Sequence, residues 1–125
     1  MDPVVHFEIP TDDQERARAF YSQAFGWEIS TRDPQYYLLN TAPTDAKMWP
    51  KDPGAINGGM MKRRHPGERP LIVIRVQEME AALARVKEAG GSAVFGPINI
   101  GVGVYAHVQD TEGNAIALFQ DQPRD

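Results

Sequence analysis

The feature that most constrains this chain is an internal repeat. Sliding the sequence against itself by about 65 positions sets Phe7 on Ile72, Ile9 on Ile74, Glu15 on Glu80 and Ala17 on Ala82. The same offset sets Tyr21 on Val86, Ala24 on Ala89 and Gly26 on Gly91, whereas Phe20 on Arg85 and Arg18 on Leu83 do not match. Two copies of one strand-and-helix pattern in 125 residues imply a single domain of two similar modules. Module one covers about 1–64 and module two about 65–125, with a basic, proline-containing linker from Lys62 to Pro70.

The elements follow from periodicity and punctuation. Val4 to Ile9 alternates as a strand, with Val4, His6 and Glu8 on one face and Val5, Phe7 and Ile9 on the other. Thr11 and Gln14 form a capping box, and Asp12 and Asp13 suit the positive end of a helix. Ala17, Phe20, Tyr21, Ala24 and Phe25 then mark one buried helical face, which Gly26 ends. Strands are expected at Trp27–Thr31, Gln35–Thr41 and about Ala55–Arg63, with a proline-rich loop from Ala42 to Gly54. In module two, Leu71–Val76 is a strand, and Met79, Ala82, Leu83 and Val86 mark a helix closed by Gly90-Gly91. Ser92–Phe95, Val102–Gln109 and Asn114–Gln120 are further strands, the last two joined by the turn Asp110-Thr111-Glu112-Gly113. The fold class is α+β, two βαβββ modules forming a concave sheet cleft.

Each helix covers one sheet face. The opposite faces carry His6, Glu8 and Arg75 beside Leu71 and Val73, a mixture suited to a ligand cleft. If Val104, Ala106 and Val108 face the helix, then Tyr105 and His107 face the cleft. Composition narrows the possibilities. Cys is absent, which excludes disulfides, thiolate metal sites and a Cys nucleophile. The net charge of −4 argues against nucleic-acid or anionic-membrane partners, and no apolar run is long enough for a membrane helix. Met1-Asp2-Pro3 does not open like a signal peptide, so a cytoplasmic location is expected.

The order and spacing of three segments resemble the vicinal oxygen chelate superfamily, which includes glyoxalase I, bleomycin-resistance proteins and extradiol dioxygenases. The segments are His6-Phe7-Glu8-Ile9-Pro10, the helix from Glu15 to Tyr21 running into Phe25-Gly26-Trp27, and Asp110-Thr111-Glu112-Gly113-Asn114. Gly58-Gly59-Met60-Met61-Lys62-Arg63 adds a fourth. The resemblance covers essentially the whole chain and implies paired βαβββ modules, usually in a homodimer. It also implies a divalent metal, held by His and Glu, that chelates neighbouring substrate oxygens and stabilises an oxyanion. Carried over position by position, the set is broken. His6 matches the first-strand His, but the second-module counterpart is Leu71 and the last-strand Glu position is Ala117. The remaining position falls near Gly58 to Met61, where no side chain ligates a metal well.

The resemblance therefore implies a small-molecule-binding protein of the glyoxalase/bleomycin-resistance type without metal or other cofactor, expected to be a homodimer. His6, Glu8, Trp49, Val73, Arg75, Tyr105, His107 and Phe119 are the candidate ligand contacts. The alternative is a metal-dependent lyase, isomerase or dioxygenase with a rearranged site of His6, Glu8 and His107. In the plainer reading His6 and Glu8 bond each other or Arg75. Trp49 is either a lid over a ligand or a loop anchor, and one of Tyr36 and Tyr37 lines the cleft. Gly58-Gly59 reads as a bulge or a close backbone approach rather than a phosphate loop. The Lys62-Arg63-Arg64-His65 run reads as a solvated linker that could attract an anion.

Overall fold

The computed structural model describes residues 1–123 and contains eight strands and two helices. In chain order these are β1 (Val4–Thr11), α1 (Gln14–Phe25), β2 (Glu28–Asp33), β3 (Tyr36–Asn40) and β4 (Gly58–Lys62). The second series is β5 (Leu71–Arg75), α2 (Met79–Glu88), β6 (Ser92–Asn99), β7 (Gly103–Gln109) and β8 (Ala115–Asp121). The fold is α+β, and both series have the order βαβββ. They form two compact units, His6–Pro70 and, among the described residues, 71–123 with Met1–Val5. The first few residues thus belong with the second unit. There the Arg75 amide donates to the Pro3 carbonyl at 2.9 Å, and Arg85 meets Asp2 at 3.3 Å.

In the first unit the strands run β2-β3-β4-β1, with β1 parallel to β4. Phe7 and Ile9 point to the α1 side, packing with Ala17, Tyr21, Trp27 and Ile29 around buried Tyr37, Leu39 and Met60. The helix begins two residues later than the expected capping box implies. Asp13 is the N-cap, accepting from the Arg16 amide at 2.9 Å. Thr11 belongs to β1, where its hydroxyl donates to the Gln14 side chain at 2.6 Å, and Gln14 in turn donates to the Met60 carbonyl at 3.1 Å. Gly26 closes the helix at φ 72°, as its position implied. The buried helical face is narrower than the apolar spacing suggested. Ala17 and Tyr21 pack inward, but Phe20 and Phe25 lie outside, 57% and 62% exposed. Glu15 accepts from the Tyr37 hydroxyl at 2.7 Å while Arg18 lies 5.1 Å from the Tyr37 ring centre, so α1 is tied to β3 by polar contacts as well.

The second unit repeats the plan as β5-β8-β7-β6, with β5 parallel to β8. Val76, Met79, Ala82, Ala106, Val108 and Leu118 are buried between α2 and the sheet. On the opposite face Leu71, Val73 and Ala117 are buried, with Tyr105 and Phe119 packed against them. The alternation read from the sequence therefore sorts β5, β7 and β8 onto the two faces as expected. The repeat slips at the second helix end: the left-handed residue is Gly90, at φ 101°, rather than Gly91, which matches Gly26 at the common offset. The β6 strand extends to Asn99, four residues past the expected Phe95, and all eight of its residues are exposed. No helix of the described residues is long and apolar enough to cross a membrane.

Two glycines in β4 are required by their neighbours' side chains. A Cβ on Gly58 would stand 2.6 Å from the Phe7 ring, and one on Gly59 would stand 1.7 Å from the Tyr36 hydroxyl oxygen. The adjacent glycines thus admit one aromatic ring on each face of the sheet. Gly59→Ala is expected to destabilise the protein by about 1–3 kcal/mol, the usual cost of forcing extra volume into a packed site. In urea unfolding, Tyr36→Ala in the same chain should recover part of that loss; strictly additive effects would show that the ring does not set the glycine requirement.

Candidate functional site

The first unit brings His6, Glu8 and Tyr36 together on the sheet face away from α1. His6 and Glu8 lie two residues apart on β1, and Tyr36 reaches them from β3 across the glycine of β4. The Tyr36 hydroxyl lies 2.8 Å from His6 Nε2 and donates to Glu8 Oε2 at 3.4 Å. A phenol has one proton, so with Glu8 as its acceptor the imidazole Nε2–H is the donor to Tyr36. His6 and Glu8 are therefore joined through a third side chain. Sequence alternation implies that one of the adjacent tyrosines faces this way; the register of β3 against β4 makes it Tyr36, whose hydroxyl lies over Gly59. Tyr37 faces α1.

Burial shapes the acid–base character of the group. It lowers the His6 pKa to about 4, so the imidazole is neutral near pH 7. Burial, reinforced by the Glu8 carboxylate, pushes the Tyr36 phenol well above its ordinary range. Glu8 itself is buried, 7% exposed. A neutral imidazole, a protonated phenol and a buried carboxyl group can orient a polar ligand group or pass a proton along the bonded series.

In the second unit Val73, Tyr105, His107 and Phe119 occupy the face away from α2. Tyr105 Oη and His107 Nε2 are 2.7 Å apart, and their rings meet edge to face at 5.1 Å. Val73 is buried with Leu71 and Ala117, and Tyr105 and Phe119 pack against this cluster. A Cβ on Gly103 would lie 2.7 Å from the Phe119 ring, so here too a glycine makes room for an aromatic side chain. Arg75 lies at the end of β5, 3.8 Å from Asp121. Trp49 belongs to the first unit, in a loop closed on itself. Asp45 accepts from the Lys47 and Trp49 amides at 2.8 and 3.0 Å and its own amide donates to the Trp49 carbonyl at 2.8 Å. Its side chain is half exposed. His65 is also exposed, in the linker.

The strand registers define which positions correspond in the two units. Glu8 pairs with Gly59 across β1 and β4, and its repeat counterpart Val73 pairs with Ala117 across β5 and β8. The four corresponding positions for a metal set are thus His6, Gly59, Leu71 and Ala117, and only His6 offers a ligating atom. Leu71 and Ala117 are buried among apolar neighbours, and Tyr36 fills the space a side chain at position 59 would need. These residues do not fit the superfamily's metal. No group of three or more His, Asp or Glu side chains placed to hold a metal occurs among the described residues. His6 and His107 each turn Nε2 to a tyrosine hydroxyl of their own unit.

Residues 4–42 match the family model described as bleomycin resistance protein-like N-terminal. The chain is 31% identical over 117 residues to a glyoxylase-like domain-containing protein of Didymella fabae, an alignment covering 89% of this chain and 88% of that protein. Its fold is similar to that of methylmalonyl-CoA epimerase from Mycobacterium tuberculosis, with TM-score 0.64, 18% identity, and coverage of 96% of this chain and 88% of that one. A glyoxalase/bleomycin resistance protein/dioxygenase superfamily member from Vibrio splendidus 12B01 matches with TM-score 0.62 and 15% identity, over 98% of this chain and 100% of that one. The paired βαβββ units and these relatives define the class, and this chain belongs to the glyoxalase/bleomycin-resistance/dioxygenase superfamily, also called the vicinal oxygen chelate superfamily.

A lowered His6 pKa has a definite sign in stability. The native state holds the imidazole neutral down to about pH 4, whereas the unfolded chain takes up the proton near pH 6.5. The His6 contribution should therefore be present above pH 6.5 and be lost progressively as pH falls toward 4. The loss is at most about 3 kcal/mol. Imidazole chemical shifts followed against pH should give His6 a midpoint near 4, and His6→Gln should flatten the acid side of the unfolding curve. A His6 midpoint near 6.5 would overturn this reading.

Proposed function

We propose that the protein binds a small organic molecule without the divalent metal typical of its superfamily. The observation that carries this reading is the composition of the four register-equivalent positions, one histidine with glycine, leucine and alanine. Lewis-acid chemistry needs several N or O ligands, and these positions supply one. The faces indicate the ligand class. That of the second unit combines Tyr105, Phe119 and Val73 with the His107 imidazole, a surface for aromatic or apolar groups with a polar anchor. That of the first unit offers the His6–Tyr36–Glu8 series to a polar group.

Protein purified without chelators and challenged with zinc, iron, nickel and manganese should bind them at stoichiometry near zero by elemental analysis. Near-stoichiometric metal would favour the lyase, isomerase or dioxygenase reading instead. A thermal-shift screen of aromatic and heterocyclic compounds should yield stabilising ligands. At a concentration 100 times Kd, a ligand specific for the native state adds about 2.7 kcal/mol. Tyr105→Ala should weaken a hit about tenfold, one step of roughly 1.4 kcal/mol. Hits unaffected by both this change and Phe119→Ala would count against the assigned face.

Self-association is a second part of the proposal. On β6 and the segment after it, Val94, Phe95, Ile98, Ile100 and Val102 are all exposed. Pro97 lacks an amide donor, which makes the side-chain surface a better contact than an added strand. A second copy related by two-fold symmetry is the partner that requires no other component. Light scattering at micromolar concentration should give a dimer mass, and Phe95→Lys should shift it toward monomer. A monomer mass for the unchanged protein would refute the dimer.

A further inference from the structure

The linker ending the first unit has a charge pattern that the proposed ligand face does not use. We propose that it forms a separate binding site for the phosphate group of a small phosphorylated molecule, held by Arg63, Arg64 and Arg69. An open cavity of about 620 Å³ is lined by these arginines with Asp12, His65 and Pro66. That volume lies within the roughly 300–1,000 Å³ of small-molecule sites and exceeds what a bare phosphate occupies.

The arginines are held by one turn. The Glu68 amide donates to the His65 carbonyl at 3.0 Å, closing the turn, and the Glu68 side chain is buried within it. Glu68 accepts from the Arg64 amide at 2.8 Å and from the Arg64 guanidinium at 2.8 and 2.5 Å. Burial alone would raise the Glu68 pKa, but these Arg64 bonds bring it below its ordinary value, so the carboxylate stays charged. Arg63 donates to the Glu68 carbonyl and to Asp12, the latter at 2.9 Å. Arg69 uses Nη1 for the Pro66 and Glu68 carbonyls, both at 3.1 Å, and pairs with no carboxylate among the described residues. Three guanidinium groups therefore converge on a turn with two carboxylates, one of them buried. Guanidinium forks match phosphate oxygens in geometry and charge. Carbonyl and carboxylate contacts already restrict these side chains, reducing the entropy lost on binding. Asp12, exposed at the rim, competes with the anion for Arg63.

The probes are inorganic phosphate, pyrophosphate and phenyl phosphate, titrated at constant ionic strength and followed by backbone amide chemical shifts. Pyrophosphate or phenyl phosphate is expected to bind saturably, with the largest shifts at residues 63–69. Arg69→Ala should weaken binding about tenfold or more without changing Tm, because the side chain is exposed. Arg69→Lys should fall between the two, and Asp12→Asn should tighten binding. Lys51→Ala, which removes one positive charge from the proline-rich loop, should leave affinity unchanged. Linear shifts without saturation would overturn the site, as would equal weakening by Lys51→Ala and Arg69→Ala or saturable binding that maps elsewhere. None of these outcomes depends on the metal content or on the ligand of the Tyr105 face.

Discussion

The constraint on which the first unit's arrangement depends is steric: Tyr36 lies where Gly59 has no side chain. From there the phenol meets His6 and Glu8, so one residue of β4 determines the contacts of residues on β1 and β3. The neighbouring Gly58 does the same for Phe7 on the other face. In a pleated sheet adjacent residues point to opposite sides, so two consecutive glycines open space for one ring on each side. One ring then contributes to the hydrophobic packing of α1 and the other to a polar group.

The same contrast runs through both units. Each helix-facing side is packed around apolar residues; the opposite side of the first unit groups His6, Tyr36 and Glu8, and that of the second sets Tyr105 and His107 beside buried Leu71, Val73 and Ala117. Buried polar groups are tolerated when they bond one another, and the described residues contain no buried side-chain nitrogen or oxygen lacking a bonded partner. A neutral His6 bonded to a phenol suits that setting better than a charged one, because burial penalises the imidazolium. The two units reach a similar outcome with different residues, His6 with Tyr36 in one and His107 with Tyr105 in the other.

Much of this architecture was legible in the sequence. The alternation of Phe7 with Glu8, or of Ala106 with His107, assigns sheet faces because side chains in strands have period two. Gly26 ends its helix for a reason visible in its chemistry, the ease of a positive φ. What was hidden depended on distant partners. Nothing local to Tyr36 distinguishes it from Tyr37; the register sets Tyr36 opposite Met61, from where its hydroxyl reaches over Gly59. Similarly, Thr11 and Gln14 do form their side-chain bond, but an extended β1 leaves the cap to Asp13. Phe20 and Phe25 have helical spacing yet remain outside, because the sheet beneath α1 covers a stripe narrower than the apolar pattern.

The placement of Met1–Val5 in the second unit bears on how the chain folds. Those residues precede the first unit, whereas Arg75, whose amide bonds to Pro3, follows only after the whole of it. Completing the second unit therefore requires closure of a long loop, a contact of high sequence separation that slows folding more than it lowers stability. The first unit consists of one continuous segment and can assemble as that segment emerges. The second must recover its earliest residues from the other end of the chain. A chain divided at the linker would separate those residues from their partners, so the symmetry of the repeat is not a symmetry of assembly.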